Sequence, residues 1–239
     1  MTGFLIIDKP EGITSHDVIA RLRRLTGIKR IGHAGTLDPF ATGLLLVGVG
    51  REATREMQKL VGLDKTYEAT FVLGATSTTD DVKGKLTTND STINFTENEI
   101  KETLKLFEGE IDQVPPTYAA IKIGGKKLYE LARAGKPTLV APRLVTIYSI
   151  EIIDVVYLKG TVATVPYVNV RINCSSGTYI RSIARDLGAK LGVGGYVETL
   201  RRTSIGPFTI KESSPLDKLD ATTVTDLVIK IDDFLGRLT

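Results

Sequence analysis

The sequence predicts an α+β domain on a mixed, largely antiparallel sheet. Three features point there. Two long strand-like stretches, 145–158 and 167–174, stand in the second half. Strands outnumber the helices that could cross over between them, which disfavours a parallel sheet. No internal repeat or low-complexity tract suggests another architecture.

Phe4-Leu5-Ile6-Ile7 reads as a short buried strand, and Lys9-Pro10-Glu11-Gly12 as a turn. Ser15 reads as an N-cap. Val18, Ile19, Leu22 and Leu25 follow at helical spacing, and Gly27 ends the helix. Residues 32–43 read as a Gly-rich loop. A strand at 44–49, a helix at 51–60 and a half-buried strand at 65–73 come next. The Thr- and Asp-rich stretch 75–94 reads as a surface excursion, and 97–107 as an amphipathic helix carrying Ile100, Leu104 and Phe107. Pro115-Pro116 breaks the chain. A strand at 118–123, a Gly124-Gly125 turn and a short helix at 126–134 are expected after it. A helix from about 179 to 191 and a terminal helix over 222–234 complete the reading. The segment of about 108–142 has its own turns and basic charge, and could project from the sheet as an insertion.

The chain has 239 residues, enough for one large domain, and 42% of them are hydrophobic, enough for a packed core. Cys174 is the only cysteine, so an internal disulfide is excluded. One cysteine and two histidines, His16 and His33, are a poor inventory for a zinc site, and no metal is expected. Apolar runs stop too soon for a signal peptide or a membrane span, so a cytosolic protein is expected. Net charge is only +3, but it is unevenly placed. Residues 18–37 hold Arg21, Arg23, Arg24, Lys29 and Arg30 with no acid, and 122–136 hold five bases and one acid. Such blocks are the mark of a polyanion-binding face, or of plain solvated helix surfaces.

Asp38-Pro39 in the Gly-rich loop reads two ways. It is a common turn pair, because aspartate bonds its own backbone. It is also a carboxylate on a constrained loop at a strand end, available as nucleophile or base. Arg181 in the first turn of a helix opposes the helix dipole, which calls for an anionic partner. Gly48-Val49-Gly50-Arg51-Glu52-Ala53 fits a dinucleotide fingerprint. Regular βαβ alternation does not follow it, and Glu52 would crowd a pyrophosphate. Tyr67, Tyr118, Tyr129, Tyr179 and Tyr196 each lie near a lysine or arginine. That combination suits stacked bases and held phosphates, or ordinary packing at sheet edges.

Six segments in order resemble the TruB family of bacterial tRNA pseudouridine-55 synthases. The first is Lys9-Pro10-Glu11-Gly12-Ile13-Thr14-Ser15, similar to the family's K-P-x-G-x-T-S opening. The catalytic motif follows as Gly32-His33-Ala34-Gly35-Thr36-Leu37-Asp38-Pro39-Phe40-Ala41-Thr42-Gly43. Then come Lys65-Thr66-Tyr67, a stretch from Val114 through Tyr118 to Lys122, one from Cys174 through Tyr179 to Arg181, and Leu200-Arg201-Arg202-Thr203.

The resemblance implies the pseudouridine synthase fold and isomerisation of the T-loop uridine of tRNA to pseudouridine, with the base flipped out and no cofactor. Asp38 matches the nucleophile, Tyr67 the tyrosine that stacks on the base and helps remove the final proton, and Arg181 the arginine that pairs with the aspartate. His33, Tyr179 and Leu200 match substrate-pocket positions. Lys9 and Lys122, the lysines of the first and fourth motifs, join them as substrate-binding candidates. The insertion at about 108–142 corresponds to the thumb that clamps the T-arm.

A catalytic domain is expected over 1–210, followed by a short segment, 211–239, too small for the family's RNA-binding PUA domain. A monomer working without guide RNA or membrane is expected. On that reading a T-arm stem-loop should bind nearly as well as whole tRNA. A large preference for whole tRNA in a filter-binding titration would contradict it.

Overall fold

In the computed structural model, the described residues are 1–88, 95–119, 121–123, 126–128, 140–159 and 164–238. In chain order the first elements are β1 (Gly3–Lys9), α1 (Ser15–Thr26), β2 (Ile31–Ala34), β3 (Thr42–Val49), α2 (Gly50–Val61), β4 (Lys65–Leu73), β5 (Ala75–Ser77), β6 (Leu86–Thr88) and α3 (Glu97–Lys105). They continue with β7 (Gly109–Gln113), β8 (Lys122–Ile123), β9 (Lys126–Lys127), β10 (Arg143–Lys159), β11 (Thr164–Cys174) and α4 (Ile180–Lys190). The last are β12 (Gly195–Ile205), β13 (Phe208–Thr209), β14 (Ser214–Pro215), α5 (Thr223–Asp226) and α6 (Ile231–Leu235). The α+β class with mostly antiparallel pairing is as the sequence predicts. The chain divides into two compact units, Met1–Glu68 with Leu200–Thr239, and Ala69–Thr199. The backbone passes between them within β4 and within β12.

In the first unit, β3 is the centre. β1 runs antiparallel along one edge, from Gly3 opposite Val49 to Lys9 opposite Gly43. The other edge is shared: β2 pairs antiparallel with it, from Ile31 opposite Val49 to Ala34 opposite Leu46, and β12 pairs parallel at Thr42 and Gly43. Phe4–Ile7 of β1 form a continuous apolar run because both faces of the strand are covered. Leu5 and Ile7 join α1 and α5 through Val18, Leu22 and Val224. Phe4 and Ile6 face the other way, onto Ala53, Met57 and Leu60 of α2 and onto Phe208 and Phe234.

The helix starts follow from local chemistry. Thr14, not Ser15, caps α1, through a box in which its side chain takes the Asp17 N–H and Asp17 returns to the Thr14 N–H. Ser15 is thereby released for another task. Gly48 and Gly50 have a packing reason rather than a phosphate one. A Cβ on Gly48 would stand 2.7 Å from Met57 Sδ and 3.2 Å from the Ala53 backbone, so glycine is what lets α2 lie on β3.

The C-terminal segment is part of this core. Instead of the single helix expected over 222–234, two short helices flank an antiparallel bridge between Phe4 and Ile229, with both backbone bonds at 2.9 Å. Phe234 then stacks between Phe4 and Phe208, with centroids 4.2 and 4.1 Å away, and Arg237 covers the far face of Phe208. Burial of an apolar position won over helical periodicity there.

The second unit rests on the long antiparallel pair β10–β11, with register shifts near Ser149 and Asp154. β7 pairs with the first five residues of β10. The first five residues of the expected thumb after Glu108 are therefore an edge strand of this sheet. Val168, Val170 and Ile172 of β11 are fully buried. β8 and β9 form a two-residue hairpin, whereas the helix expected over 126–134 lies mostly outside the described residues. Tyr118, expected in a strand, sits in a turn. No helix among the described residues is long and apolar enough to cross a membrane.

Truncating a fully buried phenylalanine costs about 3–5 kcal/mol. Phe234→Ala should therefore lower the urea midpoint of the first unit by about 1–2 M, taking m at the upper end of its usual range of about 1–3 kcal/mol/M. An unchanged midpoint would mean the C-terminal segment is a loose appendage.

Candidate active site

Residues 35–41 connect β2 to β3 and carry Asp38. The Gly-rich loop predicted over 32–43 is shorter than expected, because His33 and Ala34 lie in β2. Only the end residues Ile31 and Ala34 of β2 are buried, so no alternation marks it as a strand. The Ala41 N–H donates to the Asp38 carbonyl at 3.1 Å, so the turn signalled by Asp38-Pro39 is closed by backbone.

The segment after β1 fastens this loop. The Gly12 N–H donates to the Pro39 carbonyl at 2.8 Å. Ser15 Oγ accepts the Leu37 N–H at 2.9 Å and donates to the Leu37 carbonyl at 3.2 Å. Lys9 is fully buried, and its ammonium donates to Pro10 O at 2.9 Å, Ile13 O at 2.8 Å and Pro39 O at 3.4 Å. Lys9, a substrate-binding candidate by resemblance, holds the loop from inside in this structure. Burial pulls it from 10.5 down to about 8, against the Asp38 carboxylate and with the Arg202 guanidinium.

Arg202 is the residue that sequence reading missed. It is 1% exposed, and donates from Nε to Leu44 O at 2.8 Å and from Nη2 to Gly35 O at 3.0 Å. It thus spans both ends of the Asp38 loop. Gly43 makes room for it: its φ is +105°, and a Cβ there would sit 2.3 Å from the Arg202 carbonyl. The signal was in strand alternation, since one of Arg201 and Arg202 had to face inward. Arg201 faces the other way and grips Asp8 with two nitrogens, at 3.1 and 2.6 Å.

His33 on β2 is held neutral. Burial lowers its pKa, and Arg202 and His16 add to the effect. Its Nδ1 is buried with no hydrogen-bond partner. Tyr67 is buried on β4, as is Leu200 on β12. Lys65, two residues before Tyr67, is buried too, donates to the Val61 and Leu63 carbonyls, and has its Cε about one contact distance from where a Gly35 side chain would begin. The first unit therefore carries Asp38, His33, Lys9, Tyr67 and Leu200 of the expected site residues.

Tyr179, Arg181 and Lys122 belong to the second unit. Arg181 is 3% exposed; it donates to Thr79 O at 2.9 Å and Tyr118 O at 3.0 Å, and pairs with Asp81 at 3.4 Å. Within this unit Asp81 answers the demand for an anion made by an arginine in a first turn. Asp81 itself is fixed by Thr79 Oγ1 and the Lys83 N–H. Tyr179 begins α4 with its backbone clamped on both sides by Gln113, at 2.7 and 3.1 Å, and packs with Ala119, Ile121 and Leu128. Lys122 is placed only by its backbone in β8. Among the described residues no group of three or more His, Cys, Asp or Glu is placed to hold a metal.

Lys9 gives a pH-dependent property. Its folded pKa lies below its unfolded one, so between pH 8 and 10.5 the unfolded chain holds more protons and linkage raises global stability with pH. Deprotonation nevertheless removes one of three donors to the loop carbonyls. Protection of the Gly12 amide against hydrogen exchange, corrected for intrinsic rate, should fall about tenfold from pH 7 to 9. The melting temperature should not fall with it. Constant protection would mean the ammonium is not what holds the loop.

Two family models match the chain. One is described as TruB family pseudouridylate synthase, N-terminal domain, over residues 23–180, and the other as tRNA pseudouridylate synthase B C-terminal domain, over 181–232. A protein of Mycobacterium sp. (strain KMS) called tRNA pseudouridine synthase B is 47% identical over 217 residues, which are 91% of this chain and 71% of that one. One of the same name from Thermobifida fusca (strain YX) is 47% identical over 92% of this chain and 74% of its own. A solved Cbf5-Nop10-Gar1 complex aligns with TM-score 0.66 and 32% identity over 91% of this chain. An H/ACA RNP bound to a substrate RNA containing 2'-deoxyuridine aligns with TM-score 0.64 and 30% identity over the same share. The chain spans about half the length of these solved chains, 53% and 52%. By sequence and by fold, the chain belongs to the TruB family of pseudouridylate synthases.

Proposed function

We propose that the protein isomerises the T-loop uridine of tRNA, position 55, to pseudouridine, with Asp38 as nucleophile. The observation that carries this is the way the Asp38 loop is fixed: by Lys9, Gly12 and Ser15 on one side and by Arg202 across its ends. A carboxylate that must attack one atom of a flexible polyanion needs such a rigid mount. Names of the relatives supply the substrate class.

The reaction breaks N1–C1′, turns the base, and joins C5 to C1′. The C5 proton leaves to water and N1 takes one up, so the formula is unchanged and no cofactor is required. Asp38 forms the covalent bond to the nucleoside that lets the base detach without being lost. Tyr67 stacks on the base and assists removal of the C5 proton. Arg181 supplies positive charge for the reaction, and His33, Tyr179, Leu200 and Lys122 contact the RNA around the target. The target base is flipped out, at a cost of a few kcal/mol that stacking and phosphate contacts offset. A neutral His33 suits this, since it presents a hydrogen-bonding ring without competing for the phosphates.

The test is tritium release from unmodified tRNA labelled at uridine C5. Wild type should release it from one uridine, and Asp38→Asn should slow release by at least about a thousandfold while still binding RNA. Binding without release by the wild type would instead favour an RNA-folding role, with Asp38 as a turn residue.

A further inference from the structure

The Asp38 loop leaves β2 at its C-terminal end. At its N-terminal end lies a group of cations that the catalytic reading does not use. Lys29, Arg30, Arg51 and Arg55 are all exposed. The Gly50 N–H donates to the Arg30 carbonyl at 2.8 Å, which sets Arg30 beside the start of α2. Arg30 Nε reaches Thr54 Oγ1 at 3.5 Å, and Thr54 lies on α2 between Arg51 and Arg55. Arg23 reaches the residue after Arg30, with Nη2 on the Ile31 carbonyl at 3.2 Å and a buried Nε that has no hydrogen-bond partner among the described residues.

These placements are unfavourable in the protein alone. Arg51 and Arg55 are i,i+4 like charges, a destabilising pair. Arg51 also stands in the first turn of α2, against the helix dipole. None of the four exposed cations has a carboxylate partner among the described residues, although α2 does pair Lys59 with Glu56 at 2.6 Å. Glu52 is the one acid at the same helix start and takes none of them. Three of the four are arginines, whose planar fork matches a phosphate with two hydrogen bonds. A surface that keeps such charges uncompensated is complementary to a polyanion.

We propose that Arg30, Arg51 and Arg55, with Lys29, form a second RNA-binding surface that holds backbone phosphates of the substrate away from the target nucleotide. The link to catalysis is β2: it runs from this cluster to His33 and then into the Asp38 loop. With about 3.3 Å of rise per residue, Arg30 and Ala34 stand roughly 13 Å apart along the strand. RNA fixed at one end is thereby positioned at the other. The proposal rests on RNA being the substrate, but not on turnover.

The test is the salt dependence of binding to an unmodified tRNA transcript. Each phosphate contact contributes about 0.7–0.9 to the slope of log affinity against log salt. The triple variant Arg30→Gln, Arg51→Gln, Arg55→Gln should flatten that slope by about 2 to 3 and weaken binding at least tenfold near 0.1 M salt. The triple lysine variant should keep most of the slope. An unchanged slope in the glutamine variant, at an unchanged melting temperature, would overturn the proposal. So would an equal loss in the lysine variant, which would point to folding rather than charge. Loss of binding to anionic phospholipid vesicles with tRNA binding intact would assign the surface to a membrane instead. Binding with the predicted slope but no tritium release from wild type would sink the synthase reading and leave this one standing.

Discussion

A buried ammonium governs the geometry around Asp38. Lys9 closes β1, and everything it can donate goes to carbonyls of the turn after β1 and of the Asp38 loop. Burying a cation is costly unless its hydrogen bonds are complete, so the two segments cannot drift apart without stranding it. That explains why a lysine, and not an apolar residue, ends a strand that opens with the apolar run Phe4–Ile7. It also explains the rest of the motif: Gly12 and Ser15 add bonds to the same loop, and Thr14 takes over the helix cap so that Ser15 is left available.

Arg202 repeats the device from the opposite side. It ties Gly35 and Leu44, which flank the loop, and its field reaches both Lys9 and His33. The surroundings of Asp38 are therefore cationic by construction while the nearest histidine is kept neutral.

The fold class and most elements were legible because they rest on local signals: the Phe4–Ile7 run, the 3.6-residue period of α1, α3 and α4, and the length of β10 and β11. Asp38, His33 and Tyr67 were legible through ordered motifs rather than through chemistry, since Asp38-Pro39 alone reads equally as a turn. What escaped detection depended on distant partners. β2 is strand only because β3 lies beside it. Phe234 leaves helical register because Phe4 and Phe208 need covering. Arg202 meets carbonyls of Leu44 and Gly35 more than a hundred and fifty residues away, and Lys9 reaches Pro39 across the loop, contacts that no local pattern names. Arg181 did announce a partner by its unfavourable place in a first turn, yet Asp81, a hundred residues earlier, could not be named.

The bridge between Phe4 and Ile229 bears on the order in which the chain is made. The first unit is discontinuous: β1 is synthesised before the second unit, and the segment that bridges to Phe4 after it. The second unit, Ala69–Thr199, is one continuous stretch of chain. Domains generally form as their sequence emerges, N-terminal parts first. Here that order is inverted. α1 and α2 can cover the apolar Phe4–Ile7 strand early, but the ring of Phe4 waits for Phe208 and Phe234 until the second unit has been made, and in that interval it is the part of β1 open to aggregation or chaperone capture.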